Sequence, residues 1–178
     1  MNRVVITGIG IISCLGNDKN EVLTSLLESK SGLTLNPEYK ENGMRCHISG
    51  QVNPNLDAID RKMLRFMSET SAYAFLSTEE ALADAGLSFE DINNDKTGVI
   101  VGSGTGSSRE LKNVVDTARE KGIKRIGPYA VTRTMGNTTS AAISTFFQTR
   151  GVSFSIASAC STSLHCISYA FDLIKSGR

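Results

Sequence analysis

Short apolar runs alternate with longer stretches of helical periodicity along this chain. The apolar segments 3–8, 97–102 and 152–157 are short enough to be buried strands. Between them, apolar residues recur every three or four positions, as in helices that pack one face against a sheet. The periodicity predicts helices over 19–30, 60–86, 108–121 and 134–148, and again after Cys160. Strands and helices that alternate in this way are typical of an α/β fold.

Turn-forming residues interrupt this alternation between residues 31 and 55. The interval contains two separate glycines and the pairs Asn36-Pro37, Asn42-Gly43 and Asn53-Pro54. Such residues favour tight turns, so we predict an excursion on the surface rather than a disordered linker. A short strand is expected at 47–52.

The third apolar run leads into a cysteine with serine or alanine on both sides. Helical spacing from Leu164 to Ile174 predicts a helix that begins close to Cys160 and ends near Gly177. Free N–H groups and the helix dipole at such an N-terminus stabilise a thiolate. The same N–H groups can hold a developing oxyanion. Cys160 is therefore a candidate nucleophile.

An inert role for this cysteine stays open, because an unpaired cysteine is often only a small buried hydrophobe. His165 does not complete a Cys–His pair. Five residues of helix place its side chain about 140° around the axis from Cys160. A base for the thiol would have to come from another part of the fold.

Composition narrows the classes of function. The 178 residues are 40% hydrophobic and 21% charged, enough to bury the core of one domain. A net charge of +1 gives no overall case for binding nucleic acid or an anionic membrane. No run approaches the roughly 20 apolar residues that span a bilayer. Four cysteines without C-x-x-C spacing and two histidines predict neither disulfides nor a metal site, which agrees with a cytoplasmic protein.

Glycine-rich turns follow the first two predicted strands, at 8–13 and 102–107. Each resembles half of a dinucleotide fingerprint. However, no acidic residue follows the first turn at the distance that would bind a ribose, and neither turn ends in Gly-Lys-Ser/Thr. Glycines that let two stretches of backbone approach closely also explain both turns. A non-catalytic dinucleotide-binding or scaffold domain is therefore a competing hypothesis.

Basic residues form two clusters that could meet an acidic partner. The first lies on a helix that Asp60 is predicted to cap, and the second follows the predicted helix 108–121. Clusters of this kind are also common on purely solvated surfaces. Their members are Arg61, Lys62 and Arg65 in the first, and Lys121, Lys124 and Arg125 in the second.

Taken together, several segments resemble the β-ketoacyl-acyl carrier protein synthases, a family of condensing enzymes with a thiolase-like fold. The matching segments are 4–10, 60–86, 102–106, 127–129 and 155–167, and they are most similar to the synthase I branch. The resemblance implies a mixed β-sheet flanked by helices, of which residues 1–178 would form the N-terminal half. It also implies that Cys160 accepts the acyl chain, with its backbone N–H in the oxyanion hole.

The resemblance further implies a decarboxylative Claisen condensation. Cys160 would take an acyl chain from acyl carrier protein, and malonyl-acyl carrier protein would then lose carbon dioxide and extend the chain. No cofactor is implied beyond the phosphopantetheine of the carrier protein. The family's two catalytic histidines, its lysine and its Gly-Phe-rich loop belong to the C-terminal half, so the isolated chain is expected to be inactive. A thiolase or a polyketide-type acyltransferase using the same cysteine is the alternative within this fold.

The same resemblance assigns roles to further residues. Thr105 would lie at the base of the acyl channel, and Ala130 would reach the acyl pocket of the partner subunit in a homodimer. No nucleic acid, membrane or metal ion is implied as a partner. The positions that would bind acyl carrier protein are Arg61, Lys62, Arg65, Lys121 and Lys124.

Overall fold

The computed structural model describes residues 2–178, and helices form most of its regular structure. The longer helices are α1 (Lys19–Leu27), α4 (Glu69–Ala85), α6 (Ser108–Lys121), α8 (Thr138–Phe146) and α9 (Thr162–Lys175). The shorter ones are α2 (Pro37–Glu41), α3 (Arg61–Leu64), α5 (Phe89–Ile92) and α7 (Ala130–Thr134). The strands are β1 (Leu33–Leu35), β2 (Ile48–Gly50), β3 (Val99–Ile100) and β4 (Ser153–Phe154). The predicted α/β class is confirmed.

Two strand pairs organise the chain. β3 and β4 pair in parallel, with Val99 opposite Ser153, and the connection between them contains α6, α7 and α8. β1 and β2 pair antiparallel inside the predicted surface excursion, and β2 confirms the short strand expected there. The parallel pair matters for function because β4 leads to Cys160.

The core lies between α4, α8 and the parallel strands. Phe75 of α4 stacks on Phe147 just after α8, with ring centroids 4.9 Å apart. Val99 of β3 and Ile143 of α8 are buried in the same cluster. Offset aromatic packing adds to the hydrophobic contribution of the buried area. This core therefore supports β4, the strand that leads to the turn with Cys160.

Local chemistry determines where the central helix begins and ends. Ser68 caps α4 by accepting the N–H of Ser71, and the Ser71 hydroxyl reciprocally accepts the N–H of Ser68. Gly86 ends the helix with a left-handed backbone at φ 67°. The helix predicted over 60–86 is therefore two helices, α3 and α4, because the cap at Ser68 starts a new one.

The strand predicted at 3–8 is wrong. This segment pairs with no strand among the described residues, and Val5 and Ile6 are exposed. The chain instead lies along α4, where the Ile9 N–H donates to Asp84 Oδ2 at 2.9 Å. The apolar pattern that predicted a strand is real, but a strand also requires a neighbour for its backbone N–H and C=O groups.

The remaining elements follow the predictions with shifted ends. α1 stops at Leu27, three residues early, and Ser29 adopts a left-handed backbone at φ 53°. The helix predicted at 134–148 is preceded by the separate short helix α7. None of the helices in residues 2–178 is both long and apolar enough to cross a membrane.

Candidate active site

Cys160 lies in a tight turn between β4 and α9. A single 3₁₀ turn, Ala159–Ser161, leads directly into α9, and the cysteine side chain is exposed. The structure therefore places Cys160 at the helix N-terminus, as predicted. The positive end of the α9 dipole favours a negatively charged sulfur at this position.

The backbone before the cysteine adopts an uncommon conformation. Ala159 has φ 46°, in the left-handed region that residues with a Cβ rarely occupy. Thr162, the first residue of α9, is buried and bonds to both residues before Cys160. Its Oγ1 accepts the N–H of Ser158 at 2.8 Å and donates to the carbonyl oxygen of Ala159 at 2.8 Å. The turn is therefore stabilised by the Thr162 side chain as well as by the start of α9.

The backbone N–H of Cys160 has no hydrogen-bond acceptor among the described residues. Within residues 2–178, the turn is closed by the N–H of Ser161, which donates to Ser158 O at 2.9 Å, and no hydrogen bond uses the N–H of Cys160. A free N–H next to the nucleophile can stabilise an oxyanion. This agrees with the predicted role of that group.

The glycine-rich turn at 102–107 packs directly behind the cysteine turn. A Cβ on Gly102 would lie 1.9 Å from Ile156 O, and one on Gly104 would lie 3.1 Å from Ala159 Cα. Glycine is therefore required at Gly102, where the two stretches of backbone touch. Thr105 follows Gly104 and is exposed, and its assignment to the base of the acyl channel stays a prediction.

The first glycine-rich turn also serves packing. Cβ atoms on Gly8 and Gly10 would lie 2.1 Å from Ala81 O and 1.8 Å from Ser77 O. These glycines face the backbone of α4, which leaves no room on that side for a pyrophosphate. The geometry therefore argues against a dinucleotide site at residues 8–13.

The other cysteines and the histidine of α9 have different surroundings. Cys166 is buried, Cys14 is half-buried and Cys46 is exposed, and all are free thiols. His165 is exposed on α9 and makes no hydrogen bond to Cys160 among the described residues. That this histidine does not complete a pair with Cys160 stays a prediction.

Ala130 lines a cavity that no residue of the cysteine turn lines. As the first residue of α7, it lines a cavity of about 220 Å³ together with Glu110 and Arg133. The cavity contains no residue of the 158–162 turn. Its assignment to a partner subunit's acyl pocket stays a prediction.

An ion pair crosses this cavity wall. Glu110 Oε1 accepts a hydrogen bond from Arg133 Nη2 at 2.6 Å, and the Glu110 side chain is only 11% exposed. The pair joins α6 to α7. Sequence reasoning missed it because the two residues are 23 positions apart and no local pattern connects them.

The predicted carrier-protein residues are all exposed. Asp60 caps α3 by accepting the N–H of Lys62 at 2.7 Å, as predicted. The cap determines where α3 begins, and α3 carries Arg61 and Lys62 of the first basic cluster. Lys124 lies in a 3₁₀ turn just after α6. None of the five forms an ion pair with another of the described residues, so their charges face solvent: Arg61, Lys62, Arg65, Lys121 and Lys124.

An apolar cavity of about 190 Å³ lies beside the first basic cluster and was not predicted. Phe66, Met135 and Phe146 contribute to its walls. In the sequence, methionine and aromatic residues at helical spacing suggest only a packed core. The structure shows that the packing of α8 against Phe66 leaves a cavity there.

Comparisons with known proteins extend these observations. A model of the β-ketoacyl synthase N-terminal domain matches residues 1–178. The chain is 49% identical over 181 residues to 3-oxoacyl-[acyl-carrier-protein] synthase 1 of Haemophilus influenzae, covering 100% of this chain and 44% of that protein. It therefore spans less than half the length of the curated relatives it matches.

Solved structures agree on the fold. The crystal structure of a β-ketoacyl synthase from Burkholderia phymatum matches 99% of this chain and 44% of its own, with a TM-score of 0.82 and 26% identity. A ketosynthase bound to a hexaketide, in complex with a type II polyketide synthase acyl carrier protein, matches 99% of this chain and 48% of its own. Its TM-score is 0.75 and its identity is 20%, so that likeness shows the fold alone. The thiolase-like fold expected from the sequence is confirmed.

Proposed function

Because the chain belongs to the β-ketoacyl synthase family, whose N-terminal domain it matches, we propose that the whole protein is a 3-oxoacyl-acyl carrier protein synthase of fatty acid elongation. The observation that carries the proposal is the exposed Cys160 on a constrained turn at the N-terminus of α9. The 49% identity to a synthase 1 supports this reaction over that of a thiolase or polyketide-type enzyme.

The proposed first step is acyl transfer to Cys160. Its thiolate attacks the carbonyl carbon of an acyl thioester on the carrier protein, and a new C–S bond forms. The bond to the pantetheine sulfur breaks, and that sulfur leaves as a thiol after taking up a proton. The N–H of Cys160 stabilises the oxyanion of the tetrahedral intermediate, and the helix dipole stabilises the attacking thiolate.

The second step is condensation. The bond between the malonyl carbon and its carboxylate breaks, carbon dioxide leaves, and the electron pair stays on carbon as an enolate. This carbon attacks the Cys160 thioester, and the cysteine sulfur is expelled as the thiolate. The product is a 3-oxoacyl chain, two carbons longer, on the carrier protein. This chemistry needs no cofactor beyond the phosphopantetheine of the carrier protein.

In the family that the chain resembles, the groups that polarise the malonyl thioester belong to the C-terminal half. The outer face of α9 supports this, because Leu164 is 70% and Ile167 is 59% exposed. Val5 and Ile6 are exposed as well. Exposed apolar residues on the N-terminal segment and on a helix face together are typical of an interface. We therefore expect the 178-residue chain by itself to make no 3-oxoacyl product.

The proposed partner is acyl carrier protein, docked on the two basic clusters. One solved structure with this fold is a ketosynthase in complex with its acyl carrier protein. Exposed basic residues that form no ion pair within residues 2–178 can attract an acidic surface. Such charges raise the rate of association more than they raise the affinity. We also propose that the whole protein is a cytoplasmic homodimer, in which Ala130 contributes to the partner subunit's acyl pocket.

The acyl-transfer step is tested on the whole protein with an acyl-acyl carrier protein and no malonyl donor. We expect intact mass to rise by one acyl group, and peptide mapping to find it on Cys160. Cys160→Ala should carry no acyl group, whereas the control Cys46→Ala, which removes another exposed thiol, should be acylated as the wild type is. An acyl group that persists in Cys160→Ala would refute the proposal. Addition of malonyl-acyl carrier protein should then release carbon dioxide and the 3-oxoacyl product.

A further inference from the structure

We propose that Thr162 is a positioning residue for the nucleophile, whose hydroxyl holds the 158–160 turn in the conformation that presents Cys160. The inference rests on the proposed function of Cys160. Thr162 Oγ1 bonds to the backbone of Ser158 and Ala159 and not to Cys160 itself.

The hydrogen bonds of Thr162 span the residues that precede the cysteine. Oγ1 accepts from the Ser158 N–H and donates to the Ala159 carbonyl oxygen, both at 2.8 Å. Thr162 is 4% exposed, so water does not compete readily for these bonds. One hydroxyl therefore satisfies a donor and an acceptor on either side of the Ser158–Ala159 peptide bond.

The turn needs such support because its backbone is unfavourable by itself. Ala159 has φ 46°, and Ser158 has φ −148° and ψ 47°. Alanine has no side-chain group that compensates for a left-handed conformation, so the surroundings must hold it. If the two bonds are removed, we expect Ala159 to relax towards φ below zero, and Cys160 to move away from the α9 N-terminus.

The methyl group of Thr162 has a separate contact. Thr162 Cγ2 faces Gly102, where an added Cβ would lie 2.9 Å from it. The hydroxyl and the methyl group thus act on opposite sides of the side chain, one on the cysteine turn and the other on the glycine-rich turn. Substitutions can separate them: Thr162→Ser keeps the hydroxyl, whereas Thr162→Val keeps the methyl group.

A positioning role predicts an effect on the chemical step rather than on substrate binding. The basic clusters that would bind the carrier protein lie on α3 and at the end of α6 and just after it, and neither includes a residue of the 158–162 turn. A displaced thiolate should therefore lower kcat for acyl transfer and leave KM for acyl-acyl carrier protein nearly unchanged. A sulfur farther from the helix N-terminus should also react more slowly with iodoacetamide.

The test uses the whole protein and four variants: Thr162→Val, Thr162→Ala, Thr162→Ser and the control Thr78→Val. Thr78 makes the same kind of bond, from Oγ1 to Ala74 O at 2.7 Å, inside α4. Two readouts are measured: the rate of Cys160 carboxamidomethylation by peptide mass, with Cys46 as internal reference, and kcat and KM for acyl transfer. Thr162→Ala guards against a failure of the valine variant to fold.

We expect both variants without the hydroxyl to lose about tenfold in kcat and in the Cys160 alkylation rate, because two hydrogen bonds that fix the turn are lost. Thr162→Ser should stay within about twofold of the wild type, and Thr78→Val should not differ from it. This rescue by serine is the sign of a positioning hydroxyl.

Two outcomes would overturn the inference. In one, Thr162→Val and Thr162→Ala alkylate and transfer acyl groups as fast as the wild type. In the other, Thr162→Ser loses as much as Thr162→Ala, which would assign the role to the methyl contact. Failure of the wild type to form an acyl adduct on Cys160 would instead refute the proposed function, and the alkylation rates would still decide what the hydroxyl does.

Discussion

The ring of Phe66 meets the ring of Tyr129 edge-on, with centroids 4.7 Å apart and planes inclined by 69°. Phe66 directly follows Arg65, and Tyr129 comes five residues after Lys124. This contact brings the residue after Arg65 against the segment that follows Lys124 and Arg125, and the two segments are far apart in the sequence. It supports the proposal that the two basic clusters form one docking surface for an acidic partner.

Reversal of one charge on this surface should weaken the use of carrier-linked substrate. We expect Lys62→Glu to raise KM for acyl-acyl carrier protein about tenfold, because an attraction is lost and a repulsion is added. KM for the same acyl group on free pantetheine should not change. Lys40→Glu, on α2 and outside both clusters, is the matched control and should leave both values unchanged. Equal KM values for Lys62→Glu and the wild type would exclude Lys62 from the docking surface.

The ion pair between Glu110 and Arg133 should contribute to stability. The Glu110 side chain is 11% exposed, and Arg133 Nε is buried without a hydrogen-bond partner among the described residues. In Glu110→Gln the guanidinium would lose its charged partner while still partly buried. We expect the free energy of unfolding of the whole protein to fall by about 2 kcal/mol.

The exposed pair of Lys112 and Asp116 provides the control, at 2.7 Å on the outer face of α6. Asp116→Asn should cost far less than Glu110→Gln, because solvent screens such pairs. Urea unfolding of both variants measures the difference. Equal losses in the two variants would show that burial of the Glu110 pair makes no difference.

The contact of Asp84 with the N-terminal segment should make stability depend on pH. Hydrogen bonds from the Lys19 ammonium and then from the Ile9 N–H lower the pKa of Asp84 below its ordinary value of 3.8. A carboxyl with a lower pKa in the folded state stabilises the fold above its unfolded pKa. That contribution is lost as the pH falls through the folded pKa.

Below about pH 4, therefore, the wild type should lose stability that Asp84→Asn never had. We expect the difference in melting temperature between the wild type and Asp84→Asn to be largest near pH 6 and to shrink as the pH falls below about 4. Asp95→Asn, which replaces an exposed aspartate elsewhere, is the control. A difference that stays constant with pH would contradict this role for Asp84.

Local sequence signals predicted those parts of the molecule that local interactions determine. The helix expected at 108–121 is α6, because its periodic residues stop at Gly122, whose φ of 86° ends the helix. The position of Cys160 at a helix start followed from the same kind of evidence. Sequence was also sufficient to identify the family, because its motifs combine such local signals in a fixed order.

Interactions between distant segments explain the failures. Residues 3–8 have the apolar pattern of a strand, but strand formation depends on a neighbour that these residues do not have within 2–178. The left-handed Ala159 was not predicted, since alanine carries no signal for positive φ. The bonds of Thr162 to Ser158 and Ala159 were not predicted either, because they depend on the shape of the turn.

The close contact of Gly102 with Ile156 should contribute to the stability of the fold. A Cβ at Gly102 would lie 1.9 Å from the Ile156 carbonyl oxygen, so Gly102→Ala must push two stretches of backbone apart. We expect the free energy of unfolding to fall by about 3 kcal/mol. Gly127→Ala, where no atom lies within 4 Å of the added Cβ, should change it by less than about 1 kcal/mol. Urea unfolding of the whole protein compares the two, and a Gly102→Ala variant as stable as Gly127→Ala would show that the glycine-rich turn does not pack against the cysteine strand. Because Ile156 is four residues before Cys160, the same displacement should also slow acylation of Cys160 in Gly102→Ala and not in Gly127→Ala.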